Sequence, residues 1–214
     1  MLNIVRPVKW SQLLIFFLLM TMFASCANPI NRVTFRKYIE SGNVAENRGN
    51  LELARENYKR ALINVNLGNL SEEEWAYAAY EYGRISGYLC DHEEAEKYML
   101  QSLEIKERLE FPLDFKAKSY FELARFYYDS DQYAQSIPYF DKGIQLAEIL
   151  GGEKTDPIAF ANILDEHASA LRKTGAEQQA DTIAKRAETI REQNSGQQAH
   201  FKPTRYNQNC PKTR

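Results

Sequence analysis

Residues 90–103 read CDHEEAEKYMLQSL, and residues 49–62 read GNLELARENYKRAL. Laid in register, both open on a turn and an acid-rich start and place an alanine sixth (Ala54, Ala95). An aromatic follows (Tyr58, Tyr98), and both close on a small residue and leucine (Ala61-Leu62, Ser102-Leu103). A third copy begins at Ser130-Asp131-Gln132-Tyr133-Ala134-Gln135-Ser136 and continues through Tyr139-Phe140 and Gly143-Ile144. A fourth begins at Gly175-Ala176-Glu177-Gln178-Gln179-Ala180 and continues through Ala184 and Ala187. The marker residues Ala54, Ala95, Ser136 and Ala180 are spaced by 41, 41 and 44 residues. Units of this length repeated in register indicate a stacked array, because no single unit buries its apolar face alone.

Upstream of each marker a second pattern recurs at i, i+4 and i+7: Tyr38/Gly42/Ala45, Ala79/Gly83/Ser86, Tyr120/Leu123/Ala124/Tyr127 and Leu164/Ala168/Leu171. That is the period of a helix with one buried face. Each unit is therefore expected to be two antiparallel helices, with small residues where backbones approach closely. Ser71 with Glu74 and Asp91 with Glu94 read as capping boxes, and Asp156-Pro157 as an N-cap followed by proline at the first helical position. Pro112, Gly151-Gly152 and Gly175 read as breaks. Eight helices are expected, near 31–48, 51–67, 72–89, 92–110, 114–129, 132–150, 157–174 and 176–192. Pro138 falls inside the sixth and predicts a kink or a shortened helix, since it lacks a donor and crowds the carbonyl four residues back. The fold class is all-α, a solenoid of about four helix pairs.

This layout resembles the tetratricopeptide repeat (TPR). Repeat three carries the resemblance best, through Tyr120, Leu123, Ala124, Tyr127, Tyr133 and Phe140. Repeat one carries it least, with Ser41 and Gly42 where Leu-Gly is typical. The usual TPR period is about 34 residues, so the longer spacing implies longer helices or linkers, as in kinesin-light-chain-like variants. The resemblance covers residues 35–192, and the polar last helix, with Arg186, Glu188, Arg191 and Glu192, suits a capping element.

The resemblance also implies a concave face, lined by the first helix of each pair, that holds extended or helical peptides. Carried over, its groove positions are Tyr77, Tyr80, Arg84 and Tyr88 in repeat two, and Lys118, Phe121, Arg125 and Tyr128 in repeat three. Tyr80 with Phe121, and Arg84 with Arg125, are each 41 residues apart and are expected to be neighbours on one surface. Aromatics and arginine combine large buried area with a polar handle, and two arginines suit a partner's carboxylates. The alternative is that these aromatics pack on the preceding helix and the arginines are solvated. Repeat four is polar at these positions (Asp165, Ser169, Arg172) and repeat one has Asn43 for arginine, so a site centres on repeats two and three.

The two ends of the chain differ from the middle. Net charge is −2 overall, but residues 1–26 carry only Arg6 and Lys9, and residues 193–214 only Lys202, Arg205, Lys212 and Arg214, leaving −8 for residues 27–192. An acidic middle argues against a nucleic-acid-binding core. Leu13 to Ala24 form an apolar block behind a basic start, too short for the ~20 residues a membrane-spanning helix needs. It fits the apolar region of an export signal.

Its end, Phe23-Ala24-Ser25-Cys26, resembles a bacterial lipobox, with Phe where Leu is usual. The resemblance implies cleavage after residue 25, lipidation (diacylglyceryl, palmitate-type chains) of Cys26, and, with Ala27 next, the outer membrane. Plain secretion with cleavage after Ala27, and an uncleaved anchor, are the alternatives. The expected organisation is a signal peptide (1–25), an anchor and linker (26–34), the solenoid (35–192) and a disordered basic tail (193–214), the tail being polar and lacking a helical period.

Cysteines are sparse: Cys26, Cys90 and Cys210. Cys90 and Cys210 either bridge in an oxidising compartment or stand apart as a turn or core thiol and a tail thiol, which their spacing favours. No cofactor, metal or catalytic residue is expected, since no metal-ligand spacing, phosphate-cradling glycine loop or nucleophile motif is present. His92 opens a helix, and His167 occupies the slot of Leu123 and Tyr82, so a half-buried core histidine is expected there. The function these features imply is a lipid-anchored, non-enzymatic scaffold for a protein partner in the cell envelope, with no small-molecule substrate. A soluble secreted binding module and a cell-wall-modifying enzyme are the alternatives.

Overall fold

The computed structural model describes residues 29–208 and residue 210. The expected signal peptide, Cys26 and its immediate flank lie outside the described residues, as do Lys212 and Arg214. The described chain forms helices α1 (Pro29–Asn47), α2 (Leu51–Gly68), α3 (Glu72–Tyr88), α4 (His92–Arg108), α5 (Leu113–Asp129), α6 (Tyr133–Ile149), α7 (Gly152–Thr155), α8 (Pro157–Lys173) and α9 (Glu177–Gln193). The pairs α1/α2, α3/α4, α5/α6 and α8/α9 pack along their lengths, and each stacks on the next through α2–α3, α4–α5 and α6–α8. The eight expected helices are present to within a few residues at each end. The additional turn α7 occupies the expected Gly151-Gly152 break.

Helices α1 to α5 and α8 end by the same local device. Gly49, Asn69, Cys90, Glu110, Asp131 and Gly175 take the left-handed conformation just past a helix end. The next N–H, of Asn50, Leu70, Asp91, Phe111, Gln132 or Ala176, then bonds a carbonyl five residues back at 2.9–3.0 Å. These are Schellman closures, which satisfy the last carbonyls of the helix and reverse the chain. Ser71 and Glu74 form the expected capping box, and Asp156 caps α8 ahead of Pro157. Asp91 accepts from the Glu94 N–H, but the Glu94 carboxylate accepts the Tyr82 hydroxyl instead of returning to the cap.

The marker residues explain the repeat. Ala54, Ala95, Ser136 and Ala180 are all fully buried where a second helix crosses its partner. At Gly83 an added Cβ would lie 3.0 Å from the Met99 backbone nitrogen and 3.1 Å from the Ala95 carbonyl, so α3 and α4 touch backbone to backbone there. One core runs through repeats one to three and another joins repeats three and four.

Two expectations change. Helix α6 runs through Pro138 without being shortened. Pro138 and Ala134, the residue whose carbonyl loses its donor, are both exposed, so water can solvate that carbonyl. The tail is not disordered over its described residues. Tyr206 is fully buried in the first core, and Cys90 and Cys210 form a disulfide with Cα atoms 5.3 Å apart, closing a separation of 120 residues. Two thiols were favoured by spacing. Spacing could not reveal that the tail folds back over the solenoid.

Candidate functional site

The first helices α1, α3, α5 and α8 present one continuous face. An acid ladder runs across it: Glu81, Glu122 and Glu166 are spaced by 41 and 44 residues, in step with the repeat. All three are buried or half-buried. A buried carboxylate needs a cation or hydrogen-bond donors; Glu81 and Glu166 have arginines, and Glu122 has two hydroxyl donors.

Glu81 pairs with Arg84 at 2.6 Å, and the same guanidinium forks onto Glu46 of α1 at 2.6 and 2.7 Å. Burial works to lower the Arg84 pKa, but Glu81 and Glu46 outweigh it and hold the group charged. Glu122 accepts the Tyr88 hydroxyl at 2.7 Å and the Tyr206 hydroxyl at 2.6 Å on the same oxygen. Glu166 accepts Arg125 Nε at 3.1 Å and is also an ion-pair partner of Arg205.

The eight expected groove residues therefore divide. Lys118 is exposed and Tyr77 half-buried, and these two remain accessible. Tyr80 is buried, its hydroxyl without a partner and its ring contacted by Lys106 Nζ at 4.1 Å and Lys118 Nζ at 5.1 Å. Phe121 turns toward α6, against Gly143. Tyr80 and Phe121 are thus not neighbours on an open surface. The arginines are not solvated either, since Arg84 and Arg125 are locked in internal ion pairs. Tyr88 is buried against Glu122, and Tyr128 donates to Ser169 Oγ at 2.9 Å.

What covers the repeat-two and repeat-three part of the face is the chain's own C-terminal segment. The His200 and Phe201 N–H groups donate to Asp156 Oδ2, at 3.0 and 3.2 Å, at the start of α8. The Arg205 guanidinium spans Asp129 at the end of α5 and Glu166 of α8, above the Tyr128 ring. The Tyr206 N–H donates to Asp129 Oδ2 at 2.9 Å. Its ring enters between α3 and α5, 4.6 Å from the Tyr88 centroid and 5.3 Å from that of Phe126. Gly87 makes the space: a Cβ there would meet the Tyr206 ring at 2.4 Å.

Burial opposes the Arg205 charge, and Glu166 and Asp129 outweigh it, so the pKa is raised. Burial together with Glu122 raises that of Tyr206 well above the ordinary value, so the phenol remains a donor. Sequence reasoning missed this acid ladder and its tail partners. The in-register glutamates were the available signal, hidden because acids on a helix ordinarily read as a solvated face.

His167 is a core histidine, buried more fully than the half-buried position expected, its ring stacked on Phe140 and its Nε2 3.3 Å from Asp141 Oδ1. Burial lowers its pKa against the pull of Asp141. A cavity of about 430 Å³ opens beside it, lined by Ile137, Asp141, Leu171, Gln178, Thr182 and Ile183 among others. Among the described residues no cluster of three or more potential metal ligands occurs, and no helix is long and apolar enough to cross a membrane.

Residues 117–149 match the tetratricopeptide repeat model, within repeat three. Comparison with curated proteins finds no match. Among solved structures, BtubC (BKLC) from P. vanneervenii is similar over 79% of this chain and 68% of its own, with 21% identity and a TM-score of 0.68. A putative kinesin light chain of Podosopora anserina with nearly identical TPR-like repeats covers 75% of this chain and 76% of its own, at 16% identity and a TM-score of 0.58. A Rap protein complexed with competence and sporulation factor matches 75% of this chain with 43% of its own, at 17% identity and a TM-score of 0.57. At these identities the likeness is one of fold.

Proposed function

The chain is a tetratricopeptide-repeat protein with an all-helical repeat fold, and from that premise we propose that it is a non-enzymatic scaffold binding a protein partner on the face of its first helices. The observation that carries this is that the face already holds a segment without helix or strand, residues 200–208, by backbone and side-chain contacts together. The complexed state of the Rap protein, of similar fold, agrees with a binding role. The proposal includes anchoring to the cell envelope through lipidated Cys26 and a position on the periplasmic side of the outer membrane. The apolar block ahead of Cys26, which reads as an export signal, and a disulfide suited to an oxidising compartment support that location.

A photo-crosslinker at Lys118, on the open part of the face, should capture an envelope protein that the same group at Lys59, exposed on α2, does not. Equal capture at both sites, or none at Lys118, would remove the scaffold reading. Cys26→Ser should shift the protein from membranes to the soluble fraction. Retention in the membrane would remove the lipid anchor.

A further inference from the structure

We propose that the face between α3 and α8 is a receptor for an extended segment in which arginine is followed directly by tyrosine. The chain's own residues 200–208 are its resident ligand, tethered beyond by Cys90–Cys210, and a partner segment of the same chemistry replaces them. This rests on the scaffold reading above and names the partner's chemistry.

The argument starts from what the face needs when the tail leaves. The Asp129 side chain is 0% exposed and Glu166 16% exposed, and Arg205 bridges the two. Burial raises the Asp129 pKa against the opposing pull of Arg205. Without Arg205, Asp129 loses its cation and Glu166 keeps only Arg125, and without Tyr206 a slot between α3 and α5 stands open beside Glu122. Unpaired buried charge is costly, so an apolar or acidic segment is a poor substitute. A guanidinium satisfies both carboxylates at once, as an ammonium does less well. An adjacent phenol fills the slot and donates to Glu122.

The segment is also built like a ligand rather than a core element. It has no helix or strand from Phe201 to Arg205, and Lys202, Thr204, Asn207 and Gln208 between its anchors are exposed. Its backbone is held by acids at two helix ends, Asp156 and Asp129.

The disulfide sets when exchange happens. A tethered ligand competes at an effective concentration on the order of mM, which excludes a free partner of ordinary affinity. A dithiol reductant, small or protein-borne, delivers two electrons and two protons to the Cys90–Cys210 bond. Two thiols form on this chain and one disulfide on the reductant, and the tail is then tethered at one end only, through the backbone to α9, with its non-covalent contacts holding the rest.

The test uses the full chain and a fluorescent peptide, AHFKPTRYNQNS, copying residues 199–210 with serine for the cysteine. The oxidised protein should not take up the peptide. The variant Arg205→Ala/Tyr206→Ala/Cys210→Ser should bind it at least about tenfold more tightly than AHFKPTAANQNS, as expected for loss of a buried arginine and an aromatic anchor. A folded variant that binds both peptides equally, or neither, overturns the proposal.

Should that variant not fold, amide exchange on the wild type decides. Dithiothreitol should speed exchange at Phe201 and Tyr206 by about tenfold or more while the helices stay protected. No change at those amides overturns the proposal, as does a dimer formed by exchanged tails on reoxidation. Peptide binding without any envelope protein crosslinked at Lys118 would leave this inference standing and remove the scaffold reading. A crosslinked partner that the peptide cannot displace would remove this inference alone.

Discussion

The Tyr206 hydroxyl lies 2.6 Å from Glu122 Oε1, and the Tyr88 hydroxyl donates to the same oxygen at 2.7 Å. Tyr88 and Tyr206 thus share one buried acceptor, although Tyr206 lies 84 residues beyond it, and the first core is completed from the far end of the chain. Tyr206→Phe removes one of the two donors and should cost about 1–2 kcal/mol. Tyr206→Ala also empties the slot between α3 and α5 and should cost about 3–5 kcal/mol. Urea unfolding of the two variants checks the order. Equal, small losses would mean that the ring does not occupy the slot in solution.

Reducing Cys90–Cys210, or replacing Cys210 by Ser, should lower stability by about 2–5 kcal/mol, because the bridge closes a long loop in the unfolded chain. Thermal melting with and without dithiothreitol measures it. Under native, non-reducing conditions neither cysteine should react with iodoacetamide.

Gly42→Ala and Gly143→Ala should each cost about 1–3 kcal/mol through overpacking. The added Cβ would meet the Tyr58 ring at 2.5 Å in the first case and the Phe121 ring at 2.6 Å in the second. Tyr58 is fully buried and tied by its hydroxyl to Asn43 at 2.7 Å, so it cannot give way freely. Circular-dichroism melts of both variants test this, and an unchanged Gly42→Ala melt would place the Tyr58 ring elsewhere.

Lys106 is 2% exposed, with its ammonium on Ser119 Oγ at 2.7 Å and over the Tyr80 ring. Burial pushes its pKa down to about 7, with Glu81 resisting and Lys118 adding to the depression. Between that value and the unfolded value, the unfolded chain binds the extra proton. Stability should therefore rise with pH from 7 to 9, by up to about 1.4 kcal/mol per unit from this group. Lys106→Met should flatten the slope, as followed by urea unfolding across that range. A slope unchanged in the variant would show that Lys106 is not its source.

Arg84→Glu should destabilise the protein by about 3–5 kcal/mol, since it leaves buried Glu81 and half-buried Glu46 without their cation and adds a third carboxylate. Lys118→Glu, on an exposed side chain of the same face, should leave the melting temperature nearly unchanged. The pair separates residues that build the face from residues open to a partner. Equal melting temperatures would contradict the Arg84 ion pairs.

Much of the architecture was legible in advance because it is local or periodic. Ala54, Ala95, Ser136 and Ala180 announced the repeat, and Ser71, Asp156 and the residues after each helix announced its boundaries. Each of those signals depends on neighbours three to five positions away or on one repeated step. Pro138 does not shorten its helix, because the consequence of a proline depends on whether the freed carbonyl faces water. The groove residues were found as a set but misjudged in role. A helix position shows which way a side chain leaves the backbone and not what has already filled the space before it.

The sequence by itself determined an all-helical stack of paired helices, where each begins and ends, and which face the first helices share. Only the tertiary structure decided that Arg84 and Arg125 are internal ion pairs, that Glu81, Glu122 and Glu166 form one acid ladder, and that Arg205, Tyr206 and Cys210 return across the array to meet it. The physical reason is range. Periodicity and capping act within a helix or from one repeat to the next, whereas the tail's contacts join residues 39 to 123 positions apart. Contacts at that range carry no periodic mark, and they form because buried carboxylates and a slot between α3 and α5 must be satisfied by whatever part of the chain can reach them.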